Sequence, residues 1–373
     1  MSVEMILKND ERAVLALREL YRQYGYLPYK MSRFEEYDLY VQNKDFLVSD
    51  QIITFSDKNG RLLALKPDVT LSIIKNVPDQ PGSIRKVYYN ENVYRADKGS
   101  GVIKEIMQAG LECVGDLGVY EIAEVVLLAA KSLSQIGERF LLDISHMGLV
   151  SAVLSDCGFT QAAKLKAMTC LRQKSVHELL DLCRKEGCAT TSTETLCALC
   201  LNSGEPATVL SVIEKLITSD AARSALAELK QIFALLANQG FEDTVRIDFS
   251  VGSDMTYYSG VVFKGYLEGV PTGVLSGGQY DKLLRKMGRS SSAIGFAIYL
   301  DLLERLGGCA NGFDVDAVLL HNPKADIAQI TAVSEELRKN GSVLAVAQRP
   351  RGYTWRKLYD LQNGEAVLIE DNG

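Results

Sequence analysis

Between residues 11 and 26 the segment ERAVLALRELYRQYGY repeats apolar side chains three and four apart and stops at Gly25. That spacing predicts an amphipathic helix with a glycine exit. The pattern then shortens to strand-length runs. ITFSDKNGRLLALKP holds two such runs around Lys58-Asn59-Gly60, and Asn-Gly between apolar runs is a strong hairpin signal. SIRKVYYNENVYRAD and IKEIMQAGLECVG predict two more strands, joined by a loop carrying Gly99 and Gly101. A helix over 118–137 and a buried strand in FLLDISHM follow.

From 148 to 240 the period becomes helical throughout, in segments such as TQAAKLKAMTCLRQKSVHELLDLCRK and DAARSALAELKQIFALLANQG. Strand signals resume in TVRIDFSV, TYYSGVVFKGYL and GVLSGG, and SSAIGFAIYLDLLERLG is expected to close the region as a helix. After Asp314 the order is strand VDAVLL, helix ADIAQITAVSEELRKNG, then strands SVLAV and EAVLIE. The sum is an α+β protein: a core from 1–147 and 241–310, a helical insertion at 148–240, and a small α/β domain at 314–373.

Composition narrows the class. With 47 % apolar and 24 % charged residues over 373 positions, the chain reads as globular, and a chain of this length buries roughly three quarters of its unfolded surface. A formal net charge of -6 gives no electrostatic footprint for nucleic acid. The start, MSVEMILKNDERAVLALREL, lacks an apolar signal core, and no run of apolar residues has membrane-spanning length. A cytoplasmic location with reduced thiols is therefore expected for the eight cysteines. Cys183, Cys188, Cys197 and Cys200 could supply four thiolates to a metal, but Cys197 and Cys200 lie i, i+3 beside leucines, the pattern of buried core cysteines. His146, His177 and His321 are widely separated, and no phosphate loop, dinucleotide fingerprint or serine elbow is present.

Six segments, in order and with matching spacing, resemble the class II aminoacyl-tRNA synthetase core in its histidyl version: Gly25-Tyr26, TFSDKNGRLLALKPDVT, VYRAD with GVIKEIMQAGLECVG, TYYSGVVF, SGGQYDKLLRKMG and SSAIGFAIYLDLL. The resemblance implies an antiparallel sheet flanked by helices. In that family an acid and threonine, an arginine and glutamine, a following glutamate and a tyrosine pair surround bound histidine. The matching positions are Asp68, Thr70, Arg95, Gln108, Glu112, Tyr257 and Tyr258. Asp68, Gln108 and Glu112 suit an α-ammonium, Arg95 a carboxylate, and a tyrosine hydroxyl an imidazole. Gly277-Gly278 would permit close backbone approach.

The synthetase reaction brings a carboxylate against a triphosphate and depends on cations, and several expected ones are replaced. Leu302 stands where the third motif carries its ATP-binding arginine, Ser253 replaces the arginine ahead of the tyrosine pair, and Gln279 and Lys66 replace two more. Asp97 stands for an adenine-contacting glutamate and Ser32 for the first motif's proline. Arg305 could fill the lost role only through a three-residue insertion, which on a helix would turn it away.

A histidine pocket without triphosphate-handling arginines resembles the synthetase-like regulatory subunits of ATP phosphoribosyltransferase. That resemblance implies no catalysis and no cofactor. It also implies a hetero-oligomer, described as a hetero-octamer, with the short catalytic subunit, a homodimer through the core, and histidine as effector. A divergent active histidyl-tRNA synthetase is the competing reading, and a synthetase-like sensor or amide ligase a third. The basic run Arg349, Arg351, Arg356 and Lys357 with Tyr353 and Trp355 is expected as a solvated face rather than a phosphate-backbone contact.

Overall fold

The computed structural model describes residues 7–47, 52–96, 102–251, 257–306 and 313–373. The chain forms two compact units, Ala13–Arg305 and Leu306–Gly373 together with Met1–Arg12.

The larger unit is built on a nine-stranded sheet. Its strands are β1 (Leu27–Pro28), β5 (Ile84–Ala96), β6 (Ile103–Gly115), β7 (Phe140–His146), β8 (Ser203–Gly204), β9 (Val245–Asp248), β10 (Val261–Leu267), β11 (Leu275–Gln279) and β12 (Ser292–Tyr299). A small second sheet holds β2 (Phe34–Glu36), β3 (Thr54–Ser56) and β4 (Leu62–Leu65). The large sheet runs β1-β5-β6-β12-β11-β10-β7-β9-β8. Its centre, from β5 to β7, is antiparallel throughout, and β1 and β9 add parallel edges.

Helix α1 (Asn9–Gln23) buries Leu17, Leu20 and Tyr21 and ends at Gly25, whose φ of 78° is the left-handed exit that the sequence predicts. The Asn59-Gly60 turn is likewise present. Asp57 Oδ1 accepts from the amides of Asn59 (2.8 Å) and Arg61 (2.9 Å), an Asx turn that fixes the register of β3 against β4. One face of the large sheet is covered by α4 (Val119–Ile136), whose Val125, Val126, Leu128 and Leu133 are buried against it. Across that face Tyr21 meets Phe296 edge-on and Tyr88 at a tilt, and it shares a hydrogen bond with Ser132 (3.0 Å).

The predicted helical stretch is present as six helices, α5 (Met147–Asp156), α6 (Gln161–Gln173), α7 (Val176–Glu186), α8 (Thr190–Leu201), α9 (Pro206–Glu214) and α10 (Asp220–Asn238). Cys183 and Cys200 are buried among them and Cys188 and Cys197 half-buried. Burial pushes the Cys188 thiol up to about 11, an unreactive state. Among the described residues no helix is long and apolar enough to cross a membrane.

Two sequence expectations need correction. The expected helix over 291–307 is the strand β12 followed by a 3-10 turn, Leu300–Leu306. Ser-Ala-Ile-Gly-Phe-Ala-Ile-Tyr is apolar on both faces because β12 lies between β6 and β11 at the sheet centre, so the two-residue alternation of a half-exposed strand is erased. Leu302 therefore sits in a turn that repeats about every three residues, and the helical-rotation argument against Arg305 does not hold. The side chain of Arg305 lies outside the described residues, as do Asp97, Ser253, Gly99 and Gly101.

The second correction concerns the C-terminal unit. It is a four-stranded sheet, β14-β13-β15-β16, of β13 (Val315–Leu320), β14 (Val343–Val346), β15 (Trp355–Gln362) and β16 (Glu365–Asp371), with the helix Ile327–Arg338. The strand β15 is the element the sequence reading left out; Arg349, Arg351 and Arg356 of the basic run are exposed, as a solvated face requires, and acids of β16 offset part of its charge. Arg349 pairs with Glu370, and Lys357 lies 3.8 Å from Asp371.

Candidate functional site

The face of the large sheet opposite α4 carries a cavity of about 200 Å³, and its floor follows from the strand register. Glu112 of β6 stands opposite Gly295 of β12, which stands opposite Gly278 of β11. Two residues along, Gly110, Ala297 and Ser276 repeat the same row. Apart from Glu112, the two rows thus present only hydrogen, methyl and hydroxymethyl groups, leaving a depression where a sheet surface is normally filled. A methyl group at Gly295 would collide with Glu112 Oε2, and one at Gly278 would stand 2.7 Å from the Tyr258 ring. The glycines keep room for the walls.

Those walls contain all seven residues proposed from sequence: Asp68, Thr70, Arg95, Gln108, Glu112, Tyr257 and Tyr258. Asp68 and Thr70 enter from the start of α3 (Thr70–Asn76), where Asp68 Oδ1 accepts from the Leu71 amide (2.9 Å). A carboxylate there is favoured by the helix N-terminus. Arg95 reaches in from β5, its Nε donating to the Pro67 carbonyl (2.9 Å), so guanidinium and acid are held on one frame. Gln108 and Glu112 rise from alternate positions of β6 and are buried. Tyr257 and Tyr258 lie edge to face, ring centres 4.7 Å apart.

Sequence reasoning missed further lining residues, notably Phe46, Tyr89, Tyr280 and Tyr299. Tyr280 matters most. It donates to Glu112 Oε2, while Thr70 Oγ1 donates to Glu112 Oε1 at 2.7 Å. Its position within SGGQYD was the available signal.

The electrostatics of the cavity are unusual for a buried site. Glu112 is 2 % exposed, and among the described residues it meets hydroxyls rather than a cation. Burial pushes its carboxyl from the ordinary 4.5 up to about 8, against the pull of Tyr280 and Thr70 and with help from the Asp68 charge. Burial also raises Asp68, and the Leu71 amide and Arg95 counteract it in part. Arg95 is the one cationic side chain among the described residues lining the cavity. The replaced cations lead elsewhere. Lys66 is buried and paired with Glu91, and Gln279 donates to Asp281 (2.8 Å).

Mixed β1-to-β8 topology, with a bare floor on the central antiparallel strands and an arginine-bearing hairpin beside it, is the core of a class II aminoacyl-tRNA synthetase fold. Within that class the chain belongs to the histidyl-tRNA synthetase family, whose sequence model matches residues 4–303. It is 28 % identical over 344 residues to the ATP phosphoribosyltransferase regulatory subunit of Clostridium kluyveri, covering 88 % of this chain and 87 % of that one. A solved structure described as an ATP phosphoribosyltransferase regulatory subunit/histidyl-tRNA synthetase from Bacillus halodurans superposes with a TM-score of 0.73 at 25 % identity, covering 94 % and 93 % of the two chains. A chain of the ATP phosphoribosyl transferase complex from Thermotoga maritima shares the fold, with a TM-score of 0.62 at 19 % identity over 78 % of this chain and 97 % of that one.

The raised Glu112 pKa makes a stability prediction. A carboxyl whose folded pKa lies above its unfolded value contributes fully below about 4.5 and loses that contribution as pH rises through about 8. Glu112→Gln should therefore melt a few degrees higher than wild type at pH 8.5, with the difference vanishing near pH 4.5. Thermal unfolding of both proteins across that range checks it, and a variant less stable at pH 8.5 would contradict the assignment.

Proposed function

We propose that this chain is the non-catalytic regulatory subunit of ATP phosphoribosyltransferase, supporting the first step of histidine biosynthesis and its feedback inhibition by histidine. The carrying observation is the asymmetry of the cavity: two carboxylates, a carboxamide and a tyrosine pair, with Arg95 as the one described cation. That set matches an amino-acid zwitterion and falls short of the cations a triphosphate requires during transfer. The names of the relatives support the same reading.

Arg95 would take the α-carboxylate. Asp68, Glu112 and Gln108 would share the α-ammonium and imidazole N–H groups, and a tyrosine hydroxyl would complete the imidazole contacts. An ammonium beside Glu112 favours its charged form, so binding and proton release are linked. The chain performs no bond-making. Histidine binding shifts the complex between states of unequal activity, by its difference in affinity for them. The partner is the short-form catalytic subunit, in a hetero-oligomer that the family resemblance suggests is an octamer, in the cytoplasm. The core pairs with a second copy. Exposed Phe34 and Phe55, edge-on at 5.6 Å on the small sheet, offer an apolar contact for it.

Mixing the chain with the short catalytic subunit and titrating histidine tests the reading. Arg95→Ala and Gln108→Ala should each weaken inhibition about tenfold or more, the loss of a charge-assisted or buried hydrogen bond, while activation of the catalytic subunit persists. Unchanged inhibition would move the effector elsewhere, and histidine-dependent pyrophosphate exchange would restore the synthetase reading. For self-association, Phe34→Asp with Phe55→Asp should turn the isolated dimer into monomer in sedimentation. A dimer of undiminished affinity would exclude that face.

A further inference from the structure

The outer wall of the cavity is made by a short segment that no sequence motif marks. Helix α2 (Tyr37–Gln42) ends at Asn43, which is 5 % exposed and donates from Nδ2 to the Leu39 carbonyl (2.8 Å). A 3-10 turn, Lys44–Phe46, follows, closed by the Phe46 amide on Asn43 O (3.0 Å) and the Leu47 amide on Lys44 O (3.1 Å). The turn delivers Asp45, Phe46 and Leu47 to the cavity rim. Phe46 is buried, its ring centre 5.7 Å from that of Tyr257.

A second element grips this turn from outside. Lys286, the last residue of α11 (Asp281–Lys286), holds its ammonium 5.2 Å from the centre of the Phe46 ring and 2.8 Å from Asp45 Oδ2. One cation therefore meets both an aromatic face and the neighbouring carboxylate. The residue preceding α11 is Tyr280, whose hydroxyl binds Glu112 and whose ring stands 5.9 Å from Tyr257. Seven residues, Tyr280–Lys286, thus connect the floor of the cavity to its outer wall, through Tyr280 at one end and Lys286 at the other.

We propose that Asp45, Phe46 and Lys286 form a clasp that positions Tyr257 and closes the amino-acid cavity, and that this clasp sets ligand affinity. Phe46 supplies the surface that holds the Tyr257 ring upright. Lys286 supplies the hold on Phe46. They are positioning residues, acting on the ligand through Tyr257. The ligand assignment rests on the histidine reading above, whereas the clasp itself is a statement about the protein.

Charge exchange on the full-length chain separates the two. Amide hydrogen exchange over Lys44–Leu47 and over 257–260, and calorimetric titration with histidine, are measured for wild type, Asp45→Lys, Lys286→Asp, the double exchange and Phe46→Ala. Each single reversal should speed exchange in both segments and weaken histidine about fivefold, the scale of one exposed ion pair. The double exchange should recover most of both losses. Phe46→Ala should cost tenfold or more in affinity. Single reversals that change neither exchange nor affinity, or a double variant no better than the singles, would overturn the clasp. If wild type binds no histidine, the amino-acid reading fails while the exchange measurement still decides the clasp.

Discussion

A carboxylate buried among hydroxyls is costly to keep charged, and the larger unit is arranged around one. Glu112 needs Gly295 opposite it for space, Thr70 for one oxygen and Tyr280 for the other. Those partners come from three separate parts of the chain: β12, the start of α3 and the turn into α11. Satisfying one acid therefore fixes where two helices sit over the sheet. Burial here favours the neutral acid, and a cation placed beside it would favour the charged form.

The proposed function asks the same floor to suit an amino acid and to fail a nucleotide. On the proposed reading a zwitterion brings its own cation to Glu112 and Asp68 and its own anion to Arg95, so each of its charges meets one of opposite sign. A triphosphate brings several negative charges to a cavity whose described walls hold two acids and one guanidinium. Lys66, the closest remnant of a further cation in the sequence pattern, is spent on Glu91. The proposed loss of triphosphate-handling cations would therefore leave amino-acid recognition possible, because the two tasks use different charges.

Much of this was legible in the chain, for local reasons. Gly25 and Asn59-Gly60 announce turns that only particular backbone conformations allow, and the structure has both. The seven site residues were located through motifs, and all seven surround one cavity. What stayed hidden was non-local. SAIGFAIY is apolar on every side because helices and neighbouring strands cover it, so its period could not separate strand from helix. WRKLYDLQ was obscured by its basic residues, which are offset by acids of β16. The bare floor depends on the register of β6, β12 and β11, and no spacing within the sequence encodes a row of small residues across three strands.

The same register bears on the regulatory role proposed for the cavity. Floor strands β6, β11 and β12 are central and hydrogen-bonded on both edges, so they have little freedom to move. The walls rest on short elements, α3, α11 and the turn Lys44–Phe46, whose Leu71, Ile73, Ile74, Leu283, Leu284 and Phe46 share one buried apolar cluster. On the proposed reading, a ligand cation beside Glu112 would strengthen its bonds to Thr70 and Tyr280, and these residues stand at the starts of α3 and α11. Allosteric coupling then requires a difference in that ligand's affinity between two states of the complex.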